Sequence, residues 1–550
     1  MKEVQMTEFN KPFPELKIKK SKAAAARILL KSLTYSFALF GLLFILLLVV
    51  LANMLGSPSV MVHPVPSRAV LTLDLDRPYP ESRSDDLLAE FSEEPSLSFY
   101  DLIKAVNVAA LDNKVQALVA DVGNTSLGLA QIQDLREAVK AFRSTGKKAY
   151  LYSSGMGSFG GGTDDYYLAS AFDEIWMQPN TEIGITGLNI EVPFLKGLLD
   201  KVGITAEFYA RHEYKNAAAS FLNSAFTPQY REETERLGQS LYDRIVADVC
   251  ADRKLDENIF RRLVNRAPLS ADEGLKEGLI DKTAFKPDLL EKVLDETKGE
   301  MIDVYDYAYS LEESGKKLPT IAFLVVDGTI SGGKSLSNPL QGESIVGSET
   351  LIQQLDEIAN NKYVKALLLR INSPGGSYTA SAEIWNALSR LKEKRKLPIV
   401  VSMGDYAASG GYFIALPGDK ILAEASTVTG SIGVLGGKMV LAGLWDKLEI
   451  NWGEVKFGDN AGILSANHKF SEREKEVFNR SLDNVYRDFT AKVAAARNIS
   501  PEKMDKLARG RVWTGIQAVE NGLADEIGGI DRAVAYACLL YTSPSPRDCS

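Results

Sequence analysis

Ser409 stands in Asp405-Tyr-Ala-Ala-Ser-Gly-Gly-Tyr, behind an apolar run, Leu397-Pro-Ile-Val-Val, that reads as a strand. Tyr412-Phe-Ile-Ala-Leu, which follows, fits a helix, and the small residues between read as a turn. A serine on such a turn presents its hydroxyl at a helix N-terminus, where unpaired N–H groups can hold a developing oxyanion. A second turn, Ile371-Asn-Ser-Pro-Gly-Gly, also follows an apolar run and exposes successive backbone N–H groups suited to a carbonyl oxygen. Together these are the parts for nucleophilic attack on a carbonyl, provided that a base takes the serine proton.

The chain holds three histidines to serve as that base. His63 lies in a Pro/Ser-rich linker, and His468 sits in a polar segment, Ala-Asn-His-Lys-Phe-Ser. His212 stands close to Lys215 and stays open as an alternative to it. Lys215 opens the small apolar stretch Lys-Asn-Ala-Ala-Ala, and an amine can act as base once its pKa falls from about 10.4 toward 7–8. A drop of roughly three units corresponds to about 4 kcal/mol, within reach of burial in an apolar pocket. Ser431, in Thr429-Gly-Ser-Ile-Gly, either orients that amine by a hydrogen bond or is an ordinary turn or cap serine. The histidines and the three cysteines, Cys250, Cys538 and Cys549, show no metal-type spacing, so no metal and no cofactor is expected.

The elements that position these residues occur twice. Strand and helix patterns alternate after residue 68, which reads as α/β with largely parallel strands. Val70–Leu75, Val115–Val122 and Lys148–Tyr152 read as strands and Leu129–Ser144 as a helix; Ile321–Asp327 and Tyr363–Ile371 answer the first two. Tyr412…Asp419-Lys-Ile-Leu answers Tyr166…Asp173-Glu-Ile-Trp at an offset of 246 residues, and Thr429-Gly-Ser-Ile-Gly answers Ile183-Gly-Ile-Thr-Gly at the same offset. The copies differ where chemistry is at stake. Gly162-Thr-Asp-Asp stands in place of Ala408-Ser-Gly-Gly, while Lys215 of the first copy is answered by Ala461. A serine kept in one copy and a lysine in the other point to one site divided between them.

The flanks set location. Lys17, Lys19, Lys20, Lys22, Arg27 and Lys31 precede a stretch, Ser36–Leu55, that is almost wholly apolar and long enough to span a bilayer as a helix. Basic residues before the span keep the N-terminus in the cytoplasm and put the rest on the far side. This divides the chain into a cytoplasmic tail (1–31), a transmembrane signal-anchor (32–56), a first repeat (57–318), a second repeat (319–537) and a tail (538–550). The string Cys538-Leu-Leu-Tyr-Thr-Ser-Pro-Ser-Pro-Arg-Asp back-translates to a transposase adapter used in sequencing libraries, so this tail is expected to be non-native, and the helical pattern to break after Ala537. With 45% apolar and 25% charged residues the chain is globular, and its net charge of −9 argues against a nucleic-acid partner.

Asn372-Ser-Pro-Gly-Gly, Asp405-Tyr-Ala-Ala-Ser-Gly-Gly-Tyr, Thr429-Gly-Ser-Ile-Gly-Val and Glu213-Tyr-Lys, in this arrangement, resemble the long, duplicated form of the signal peptide peptidase A family, also called protease IV. The resemblance covers roughly residues 60–537. It implies two tandem Clp-protease/crotonase-like repeats behind one N-terminal transmembrane helix. It further implies a Ser-Lys dyad of Ser409 as nucleophile and Lys215 as general base, with Ser431 supporting the lysine and the amides of Gly410 and Gly375 forming the oxyanion hole. Family members are homotetramers, anchored in the bacterial inner membrane with catalytic domains in the periplasm, that degrade signal peptides and other short hydrophobic peptides. Two rivals share parts of the pattern: a crotonase-like acyl-CoA enzyme, which needs the oxyanion hole but no serine, and an inactive membrane-tethered scaffold.

Overall fold

The structure, a computed structural model, describes residues 31, 35–47, 64–82, 97–157, 161–311, 318–338 and 343–542. About half of the expected membrane span, 32–34 and 48–56, lies outside them; residues 35–47 are helical and exposed, and among the described residues no helix is long and apolar enough to cross a membrane. That stretch belongs to a separate unit, Met1–Val62, and everything from His63 onward forms one compact unit.

The first repeat is built on β1 (Ala69–Asp74), β2 (Val115–Asp121), α1 (Leu129–Ser144), β3 (Lys148–Ser153), α2 (Thr163–Ala169) and β4 (Glu174–Met177). β5 (Thr205–Ala210), α3 (Pro228–Arg253), β6 (Lys282–Thr283) and β7 (Glu300–Asp303) complete it. Its six-stranded sheet runs β6-β4-β3-β2-β1-β7, parallel throughout. Val115–Asp121 is buried along nearly its whole length, as a parallel strand covered on both faces must be, which is why it reads as a continuous apolar run. α3 starts where Thr227 accepts from the Tyr230 N–H with Pro228 in the first turn, and stops at Lys254 in the left-handed conformation.

The second repeat follows the same order: β8 (Thr320–Asp327), β9 (Val364–Ser373), β10 (Ile399–Ala408), α4 (Gly410–Ala415), β11 (Lys420–Ala423), β12 (Val428–Gly430), β13 (Leu435–Val440), α5 (Glu472–Arg497), β14 (Val512–Thr514), β15 (Glu526–Ile527) and α6 (Ile530–Thr542). β8-β9-β10-β11-β15 are parallel, matching β1-β2-β3-β4-β6, and β10 also carries β12, which pairs antiparallel with β14.

Two corrections to the sequence reading follow. Ser402–Ala408 is not a turn: β10 runs on to Ala408, held by β12 through Tyr406–Val428, Ala407–Thr429 and Ala408–Gly430. Gly404 is small for packing, since a Cβ there would stand 3.2 Å from Asn372 and 3.3 Å from Glu81 Oε1. The last helix does not break after Ala537 but continues to Thr542, because Cys538–Tyr541 contains no helix breaker; residues 543–550 lie outside the described ones.

The repeats join at several contacts, among them a shared ribbon and a polar cluster. β5 pairs antiparallel with β13, Ala210 opposite Leu435, so a strand from each half forms one ribbon. In the polar cluster, Asp405 Oδ1 accepts from the Ala130 N–H at the start of α1 (2.8 Å), and Gln133 Oε1 accepts from Ser426 N and Oγ (2.9 and 2.8 Å). Beneath them Arg370 of β9, fully buried, binds Glu81 and Asp134 of the first repeat.

Candidate active site

Ser409 separates β10 from α4 with no intervening loop. Its backbone takes φ 53° and ψ −116°, a region that costs a non-glycine residue about 1–3 kcal/mol. Neighbouring hydrogen bonds hold it there: Ser409 N donates to Gly430 O (2.8 Å), and Phe413 N donates to Ser409 O (2.9 Å). The bend needs glycines behind it. Gly375 has φ 102°, and a Cβ on it would meet Gly410 N at 2.7 Å and Ser409 Cβ at 2.8 Å.

Lys215 arrives from the first repeat. Past the end of β5, Arg211 N donates to Val434 O (2.9 Å) and Tyr214 N to Arg509 O (3.2 Å), which fixes the segment against the second repeat. Gly510, at φ 85°, lets it through: a Cβ there would lie 2.5 Å from Lys215 N and Cβ. Arg509 holds Glu213 from Nε and Nη2, both at 3.0 Å, and this keeps the Glu213 carboxyl below its ordinary range.

The lysine Nζ stands 3.0 Å from Ser409 Oγ, 2.8 Å from Ser431 O and 2.9 Å from Ser431 Oγ, all within one chain. Ser431 is itself held in the left-handed conformation, φ 50°, with its N–H on Arg511 O (2.8 Å). Loss of water around the amine lowers its pKa from 10.5 to about 8, against a smaller opposing pull from Glu233. A neutral amine has two N–H groups for the two Ser431 oxygens and a lone pair left for the Ser409 O–H. Three of the residues singled out in the sequence, Ser409, Lys215 and Ser431, therefore meet at one point.

The glycines are placed less simply. Gly410, first residue of α4, lines the cavity beside Ser409. Gly375 does not: its N–H donates back to Ser373 Oγ (3.2 Å), because the Pro-Gly-Gly turn curls onto the end of β9. Gly376 lines the cavity instead, and its nitrogen would stand 3.3 Å from a Cβ on Gly410.

The cavity holds about 430 Å³ and is walled on its apolar side by Tyr378, Phe413, Leu435, Val485 and Phe489. These residues carried no signal in the sequence, being spread over four elements. A larger cleft of about 640 Å³ opens in the first repeat over Asp74, Asp121, Arg77 and Lys286, but Arg77 pairs with Asp74 (3.1 Å) and Lys286 with Asp121 (2.9 Å), and it contains no nucleophile with a base. Among the described residues no group of three or more His, Cys, Asp or Glu is placed to hold a metal ion.

His212 is exposed and packs against Tyr486 (4.8 Å between centroids), and His468 is bound to Lys469 O (2.9 Å); neither lines the cavity, and His63 lies outside the described residues. In the first repeat the position of Ser409 is held by Thr163. Its hydroxyl is tied to Gly187 O and N (2.9 and 3.0 Å), and the turn before it is unstrained, φ −106° at Gly162.

Comparison with known proteins bears on this geometry. The profile of Peptidase family S49 matches residues 141–299 and 391–540, and that of Clp protease matches residues 343–428. Protease 4 of Salmonella typhi is 31% identical over 462 residues, spanning 80% of this chain and 72% of that protein. Protease 4 of Haemophilus influenzae is 29% identical over 522 residues, 90% of this chain and 82% of its own length. The chloroplastic serine protease SPPA of Arabidopsis thaliana is 30% identical over 471 residues, 82% and 67% of the respective chains.

Proposed function

This chain belongs to peptidase family S49 and is a serine peptidase, and from that premise we propose that it cuts peptides through an acyl-enzyme on Ser409 with Lys215 as general base. The observation that carries the proposal is the 3.0 Å approach of Lys215 Nζ to Ser409 Oγ, in a pocket that brings the amine to a pKa of about 8.

Neutral Lys215 takes the Ser409 proton as Oγ attacks the scissile carbonyl carbon. The oxygen that becomes negative is received by the N–H groups of Gly410 and Gly376. The ammonium formed is held by Ser431 Oγ and O until it passes its proton to the leaving amine, and the C–N bond breaks. A water deprotonated by the same amine then attacks the ester, releasing the acid and restoring Ser409.

The apolar wall of Tyr378, Phe413, Val485 and Phe489 favours short hydrophobic peptides, among them signal peptides left after export. The basic residues ahead of Ser36–Leu55 favour a single-pass anchor in the bacterial inner membrane with both repeats in the periplasm. Val455 and Phe457, 83% and 91% exposed beside exposed Trp452 and Leu464, favour further copies of the chain covering that face, as in a homotetramer. Ser409→Ala and Lys215→Ala are each expected to fold and to lose hydrolysis of an apolar peptide; full activity of Lys215→Ala at neutral pH would remove the assigned base.

A further inference from the structure

Residues 509–512 are wedged between the two halves of the site, and each is tied to one of them. Arg509 O accepts from Tyr214 N (3.2 Å), Gly510 N donates to Ile432 O (2.9 Å), and Arg511 O accepts from Ser431 N (2.8 Å). The fourth tie is to a side chain: Val512 N donates to Glu233 Oε1 (2.8 Å). Glu233 Oε2 in turn accepts from Asn216 Nδ2 (3.0 Å), on the residue that follows Lys215. One carboxylate on α3 therefore bridges the segment bearing the lysine to β14, whose Val512 pairs with Gly430, the residue before Ser431. It is 5% exposed.

We propose that Glu233 is a positioning residue for Lys215, fixing the amine between Ser409 and Ser431 through Asn216 and Val512 and facing it with a negative charge. The inference rests on Lys215 acting as the base. Both Glu233 oxygens receive N–H donors, the arrangement a carboxylate needs and a carboxylic acid does not. Burial pushes the Glu233 carboxyl up, while the Val512 and Asn216 donors and the Arg511 cation pull it down and Glu232 opposes them. The other groups facing it are Tyr230, whose phenol is raised by burial first and by Glu233 second, and Arg236. Arg511 is not its direct partner: it donates from Nη2 to Glu232 (2.7 Å) and lies over the Tyr214 ring (3.9 Å). The field of Glu233 is shared by Arg511, Arg236 and Lys215, the half-buried amine next along the chain from Asn216.

Glutamine keeps the shape and one of the two acceptor oxygens but not the charge, whereas aspartate keeps the charge, and the pair separates the proposal from a purely structural role. The test is the pH dependence of Ser409 acylation by a fluorophosphonate, followed by mass spectrometry on the full chain, in wild type, Glu233→Gln, Glu233→Asp and Glu233→Ala, with Lys215→Ala as control. In Glu233→Gln the acid limb is expected to move about one unit to lower pH. Glu233→Ala should move it the same way and acylate more slowly at every pH, since Asn216 and Val512 lose their acceptor, whereas Glu233→Asp should leave the limb in place. A limb that stays put in whichever of the Gln and Ala variants folds, or that moves equally in the Asp variant, overturns the proposal. If Lys215→Ala is acylated at the wild-type rate, the base assignment falls and this inference with it; a Lys215-dependent rate with an unmoved limb removes this inference alone.

Discussion

Replacing Arg370 by methionine tests what holds the two repeats, and hence Ser409 and Lys215, in register. Arg370 is wholly buried in β9 and donates to both oxygens of Glu81 (3.1 and 3.0 Å) and to Ser402 Oγ (2.9 Å), with Asp134 Oδ2 3.0 Å from Nη2. Glu81 and Asp134, each 3% exposed, come from the first repeat, and Glu424, 2% exposed, from the second. Methionine keeps much of the volume but leaves these carboxylates without their cation. Breaking such a pair costs about 3–5 kcal/mol when the orphaned charge stays buried. Burial already raises Asp134 and Glu424, and brings Asp405 to about 6, and without Arg370 all three rise further. A carboxyl raised above its unfolded value makes the folded state bind the extra proton, so stability is gained as pH falls, by about 1.4 kcal/mol per unit per group. The loss in Arg370→Met should therefore be near 4 kcal/mol at pH 8 and about 2 kcal/mol smaller at pH 6. Urea unfolding of both proteins, followed by tryptophan fluorescence at the two pH values, measures it. A loss below about 1 kcal/mol, or one that grows as pH falls, would refute the reasoning.

Three further substitutions probe single contacts. Gly375→Ala sets a methyl 2.7 Å from Gly410 N at φ 102° and is expected to lower kcat by about 100-fold or more through the displaced oxyanion donors, as steady-state peptide hydrolysis would reveal. Gly529→Ala places a methyl 1.6 Å from Asp134 Oδ1 and 2.3 Å from Glu424 Oε1 and would break the Ile530 N–H bond to Asp134, costing about 3 kcal/mol or more in a thermal melt. Lys215→Met should be inactive yet more stable by about 1–3 kcal/mol at pH 7, because the lysine's folded-state pKa of about 8 lies below its free value of 10.5. That gain is full below pH 8 and fades as pH rises toward 10.5, which melts at pH 7 and pH 10 would resolve.

The repeated strands were legible because buried parallel strands are apolar on both faces, and the duplication supplied an internal comparison. Lys215 and Ser409 are 194 residues apart, and the loss of each in the other repeat, with the resemblance of the motifs around them, linked the two before their contact was seen. What could not be read was set by packing. The small residues of Ser402–Ala408 carry the chemical signature of a turn yet are strand residues, with Gly404 under Asn372 and Glu81, a constraint invisible without the fold. Gly375 and Gly376 are equivalent in sequence, and only the fold distinguishes them: Gly375 N is bound to Ser373 Oγ, while Gly376 lines the cavity. Arg370 and Glu81 are 289 positions apart, and no periodicity marks a buried charge or its partner.

The most direct measurement is the rate of Ser409 acylation against pH in wild type and Lys215→Ala. With Lys215 as the base, a single adduct forms on Ser409 at a rate that falls tenfold per unit below a midpoint near 8, so that about 10% of the limiting rate remains at pH 7 and about 1% at pH 6, and almost no adduct forms in the variant. An adduct on another residue, or a rate in Lys215→Ala equal to wild type across that range, would contradict it.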